Sequence, residues 1–266
     1  MSYYDRNHDG AALGASHHVP LDDQRTVHPY TVQGGATIPD RSAMLKRQNM
    51  IHTTYLYLGV AVAGCMAGAW WGSHSVAFLQ FIFGLGTIGF LGIFLALNMI
   101  PRIALSVSKS NPRLAVLVLA ADGVFAGLTM APLVFLGLHV SGGDAGKGGD
   151  LVSTAMVVTG AIFAAVTAYV FLNKTEIRPT KAVLWGIMGF FFVAIPLSIF
   201  SMSSTVHLLI SGLAGLLGVY QVAVGTSQLA TDPRFNNPVA GALVLFAGVF
   251  NIFTTILHLL LAGGRD

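Results

Sequence analysis

Seven apolar stretches follow a polar N-terminal segment, and each is long enough to cross a bilayer. They lie at roughly 51–72, 74–99, 114–138, 151–172, 182–202, 205–230 and 239–263. A crossing takes about 20 helical residues at a rise of about 1.5 Å each. Each stretch is apolar all round rather than along one stripe, as lipid contact requires. Only 9% of the residues are charged, against about 25% in soluble domains. The expected fold is therefore all-α: a polytopic membrane protein with seven transmembrane helices at 49–266. Residues 1–48 are expected to be a polar tail rich in His, Gly, Asp and Pro, disordered when alone.

Basic residues sort by alternate loops. Arg41, Lys46 and Arg47 precede the first stretch. Arg102, Lys109 and Arg113 fall on the same side, as do Lys174, Arg178 and Lys181, and then Arg234. The opposite side carries Lys147 and Arg265. By the positive-inside rule the N-terminus is cytoplasmic. Trp70 and Trp71 fall at the far end of the first stretch, where an interfacial aromatic belt belongs. The tail has no apolar core before residue 51, so it is not a signal peptide. Asp5, Asp9, Asp22, Asp23 and Asp40 make it too acidic for a transit peptide. With short loops and no organelle signal, the bacterial inner membrane is the expected location. The bilayer is the expected partner; nucleic acid is not.

Asp122 breaks this pattern, because it lies inside the stretch 114–138. A charged side chain at mid-membrane costs about 2.5–3.5 kcal/mol on insertion scales. That is tolerable only inside the bundle. Thr129, Thr159, Gln221 and Asn251 are its candidate hydrogen-bonding neighbours. Small residues recur at Gly160, Ala164 and Ala168, and again at Gly212, Gly215 and Gly218, spacings that let helices approach closely in lipid.

Other chemistry is thinly represented. His74, His139, His207 and His258 all fall near far-side ends of stretches, where imidazoles could bind metal or sense pH. No H-x-x-x-H, HExxH or CxxCH spacing accompanies them, so these four are weak metal candidates and no cofactor is expected. A retinal protein needs a lysine within a helix; Lys109, Lys147, Lys174 and Lys181 all lie in loops or at stretch edges. A hydrolase needs a nucleophile with a base or a pair of acids, and neither is found. The chain is not expected to be an enzyme.

Several segments together resemble the Bax inhibitor family, also called lifeguard or TMBIM. They are GLTMAPL at 127–133, LVSTAMVVTGAIFAAVTAYVF at 151–171, GTSQL at 225–229 and FAGVFNIFTTILHLL at 246–260. Asn251 and Phe253 match the family's Asn-x-Phe. The resemblance covers roughly residues 49–263 and keeps helix order. It implies a seven-helix fold with the last helix near the centre, and a pH-sensitive calcium leak. It also implies a latch of two aspartates, one each on helices six and seven, that share a proton in low dielectric. Here those positions are Thr226 and Gly248, and the last three stretches contain no acid. Altered or absent pH gating is expected. Asp122 and Gly248 both lie about 14 Å from the cytoplasmic ends of their helices, so the acid is expected to have moved from helix seven to helix three, with Gly248 leaving room. Asp122, Thr226, Gly248 and Asn251 are the ion-pathway candidates. The alternative is a non-catalytic accessory subunit of a larger membrane complex, with the tail as its contact.

Overall fold

The computed structural model describes residues 41–139, 147–177, 186, 189, 190, 193 and 204–263. The tail up to residue 40 and most of the stretch 182–202 lie outside the described residues. The chain divides into two units, Met1–Met44 and Leu45–Asp266. The described part of the first is Arg41–Met44, which belongs to the opening of the first helix. All other described residues belong to the second.

Seven α-helices and no strand occur among the described residues: α1 Arg41–His74, α2 Val76–Gly84, α3 Gly86–Ser108, α4 Pro112–His139, α5 Lys147–Asn173, α6 Ser204–Thr231 and α7 Pro238–Gly263. Five of them, α1, α4, α5, α6 and α7, contain segments long and apolar enough to cross a membrane.

Local chemistry sets the boundaries. Ser75 separates α1 from α2, and its hydroxyl accepts from the Phe78 amide at 3.3 Å as an N-cap. Asn111 and Asn237 cap α4 and α7 through their side-chain oxygens, each followed by a proline. Proline suits the first helical position, where its missing N–H has no partner to lose. Lys174 ends α5 with a positive φ of 48°.

The stretch 74–99 is not one continuous helix. It breaks at Leu85–Gly86, where Gly86 has φ 60°, a conformation that costs glycine nothing. The helix then runs through Pro101 and Arg102 to Ser108, although the charge pattern predicts a loop at Arg102. Hydropathy reports where lipid ends, and a helix continues past that point wherever its hydrogen bonds do.

Close backbone contacts set the bundle. Along α1, Gly64, Gly68 and Gly72 recur every fourth residue against Ala120, Val124 and Ala131 of α4, and Gly123 and Gly127 answer from α4 against Ala61 and Cys65. The register climbs together, so α1 and α4 run parallel. On α6 and α7 it climbs in opposite senses: Gly215 meets Thr255, Gly218 meets Gly248, and Gly225 meets Leu245. Small residues let backbones touch where lipid offers no hydrophobic drive. The stripe Gly160, Ala164 and Ala168 behaves otherwise, since it faces outward and a Cβ at Gly160 would meet nothing within 4 Å.

The last helix is central. α7 packs on α3, α4, α5 and α6, and Gly241, Ala242, Leu245, Phe246 and Leu257 are among its buried residues. The N-terminal end of the bundle is tied by polar contacts. Arg47 Nη2 donates to Leu229 O of α6 at 2.9 Å, a carbonyl near a helix C-terminus, where a cation is favoured. Asn237 Nδ2 donates to Ser108 Oγ at 3.0 Å.

Candidate functional site

Asp122 lies on the inward face of α4 and is 4% exposed. The adjacent glycine, Gly123, presses on Ala61 of α1, and Cys65 of α1 is within electrostatic reach of the carboxylate. None of the four candidate neighbours bonds to it. Thr129 donates to Ala126 O at 2.7 Å. Asn251 Nδ2 donates to Gln221 Oε1 at 3.0 Å, across the α6–α7 seam. The Thr159 hydroxyl is buried without a hydrogen-bond partner. The acid sits inside the bundle, as its cost in lipid demands.

The other three candidates belong to the seam between α6 and α7. A Cβ at Gly248 would stand 2.8 Å from Gly218 O and 2.8 Å from a methyl of Val222. The room left by this glycine is taken by α6, not by Asp122. Asn251 is occupied with Gln221, one turn from the Gly218–Gly248 contact. Thr226 is fully buried on α6, and the Tyr55 hydroxyl of α1 lies within interaction range of both Thr226 and Thr167. None of these three hydroxyls is aligned for a hydrogen bond. Elsewhere the pattern differs: Thr54, Thr231 and Thr254 each donate to the carbonyl four residues back. Tyr55 and Cys65 are ten residues apart on α1, so Thr226 and Asp122 mark levels about 15 Å apart.

Beside Thr226, Ser227 is also a tie. Its hydroxyl donates to Thr175 O at 2.8 Å and accepts from the Ile177 amide at 2.7 Å. The segment leaving α5 is thereby fastened to α6.

The four far-side histidines are not brought into one metal-holding group among the described residues. His74 Nδ1 lies 2.8 Å from Trp70 O, and His139 Nδ1 lies 2.9 Å from Phe135 O, each on its own helix. His258 contacts Ser211 Oγ at 3.3 Å, with His207 within electrostatic reach. Among the described residues no group of three or more His, Cys, Asp or Glu side chains could hold a metal ion.

Sequence reasoning missed a groove of about 550 Å³. α1 and α5 form its walls, through residues such as Met66, Trp70, Met156 and Gly160; Met130 of α4 and Phe253 of α7 form its floor. Its signal in the sequence was the unpaired Gly160, which reads equally well as a helix contact.

An all-α bundle with five membrane-length apolar helices, a buried acid and glycine-lined seams is an integral membrane protein. Comparison with known proteins places it more closely. The family model described as "Inhibitor of apoptosis-promoting Bax1" matches residues 47–266, and the chain belongs to that Bax inhibitor family. An uncharacterized protein of Campylobacter jejuni is 25% identical over 157 residues, which cover 59% of this chain and 65% of the relative. The chain thus spans just under two thirds of that relative's length. An uncharacterized protein of Pasteurella multocida is 25% identical over 188 residues, covering 71% and 78%. An uncharacterized membrane protein of Vibrio cholerae is 24% identical over 114 residues, covering 43% and 51%. No solved structure matches.

Proposed function

We propose that this protein is a non-enzymatic ion leak of the Bax inhibitor type, with calcium as the ion to test first. It crosses the bacterial inner membrane seven times from a cytoplasmic N-terminus, and it lacks the paired-aspartate latch. The observation that carries this reading is a buried carboxylate, Asp122, the one buried acid among the described residues, in a chain that matches the family from residue 47 to 266. Intramembrane acids mark ion and proton pathways more often than they serve packing. Thr226 and Gly248 cannot share a proton, so the family's carboxylate pair is absent from these two positions and its pH gating is altered or absent. Calcium flux into proteoliposomes, measured across pH, tests the proposal. Flux from the parent protein that falls at least tenfold in Asp122→Asn supports it. No flux above empty liposomes at any pH defeats it.

A second reading is favoured by the outward-facing Ala164 and Ala168 of α5. Small residues facing lipid suit a close neighbouring helix, so the chain could serve as an accessory subunit, with residues 1–48 as a further contact. Native gel electrophoresis after mild extraction distinguishes the two: a stoichiometric larger assembly supports this reading, and a lone species removes it.

A further inference from the structure

The groove between α1 and α5 has a shape and a polarity that select its occupant. It follows α1 from Leu58 to His74, sixteen residue steps or about 24 Å at the helical rise. Its volume of about 550 Å³ is the room open to the centres of water-sized guests. A hydrocarbon chain, a single file of carbons at ordinary contact of about 4 Å from the lining, runs within that space.

Polarity gives the direction. Ser73 and His74 stand at one end of the groove, where α1 stops, beside Trp70, which is 65% exposed. From there to Leu58 the exposed lining is apolar. Thr159 borders the groove, but its hydroxyl oxygen is enclosed by protein. No Lys, Arg, Asp or Glu is among the described lining residues. Met66, Met130 and Met156 supply flexible thioethers that adapt to an apolar guest. The edge residues Met66, Met156 and Gly160 are exposed, so the groove opens on the bundle surface. Its walls and floor are α1, α4, α5 and α7, all of membrane-crossing length, and the surrounding medium there is lipid.

We propose that this groove is a binding site for one hydrocarbon chain of a bilayer lipid, whose polar head rests at Ser73, His74 and Trp70. Half of a hydrocarbon core about 30 Å thick is about 15 Å. The groove is longer than that, so it holds the chain straight and carries its end past the midplane. This site is independent of whether the protein conducts ions.

The test uses the full chain in phosphatidylcholine vesicles containing phosphatidylcholine spin-labelled near the middle of one acyl chain. Electron paramagnetic resonance reads the motionally restricted lipid per protein. The comparison is Gly160→Trp, where the new side chain enters the groove because nothing stands within 4 Å of its Cβ. Met156→Phe provides a second, milder obstruction. The expected result is a loss of about one restricted lipid per chain in Gly160→Trp and a partial loss in Met156→Phe, with melting temperature and monodispersity retained in Met156→Phe. Identical restricted fractions in all three proteins would mean ordinary boundary lipid and would overturn the proposal. So would a helix from a second copy seated there, seen as a cross-linked dimer through position 160.

Discussion

Gly218 of α6 and Gly248 of α7 face each other so closely that a Cβ on either would lie within 2.8 Å of the other's carbonyl oxygen. Gly248 is the position where the family resemblance places an aspartate, so the seam and an acid at 248 exclude each other. Gly248→Ala is expected to lower stability by about 1–3 kcal/mol, the usual cost of overpacking. Gly248→Asp is expected to fail to accumulate as a folded protein. Thermal unfolding in one fixed detergent measures the first, and membrane-fraction yield the second. If Gly248→Asp instead folded with parental stability, α6 would have to be free to step aside.

The α1–α4 contact makes a contrasting pair. Gly127 lies against Cys65 O, whereas Gly160 has open space. Gly127→Ala should destabilise by about 1–3 kcal/mol. Gly160→Ala should be neutral or stabilise by up to about 1 kcal/mol, because alanine is the better helix former. Equal effects at the two positions would contradict this packing.

Ser227→Ala removes two hydrogen bonds at once, to Thr175 O and from the Ile177 amide. About 1–2 kcal/mol of local stability should go with them. The effect should appear first as faster amide hydrogen exchange at Ile177, with the helix centres unchanged. Unaltered exchange there would mean that the segment is held by other contacts.

Asn251 and Gln221 bond across the seam at 3.0 Å. Side-chain hydrogen bonds between membrane helices average about 0.6 kcal/mol and reach about 1.7. A double-mutant cycle with Asn251→Leu and Gln221→Leu should return a coupling in that range. A coupling of zero would free Asn251 for the pathway role that its family match suggested.

Much of this architecture is legible in the sequence, for a physical reason. A backbone in lipid must satisfy its own hydrogen bonds, so long apolar runs leave helices as the only choice. That logic extends to Asp122, whose burial follows from its cost in hydrocarbon. It does not extend to contacts. Gly160, Ala164 and Ala168 have the spacing of a packed seam and face outward; Gly64, Gly68 and Gly72 have the same spacing and are packed. The difference lies in the opposing helix, which a local pattern does not contain. The break at Gly86 is hidden similarly, because hydropathy is blind to φ. The company kept by Asp122 is equally out of reach: Gln221 and Asn251 chose each other.

The groove along α1 also bears on what stability means for this molecule. Part of its packing is completed by atoms the chain does not encode. A melting temperature is then a joint property of protein and solvent, and it should drift with the length of the detergent tail. A membrane that changes its fatty acids changes this protein too, without touching a single residue.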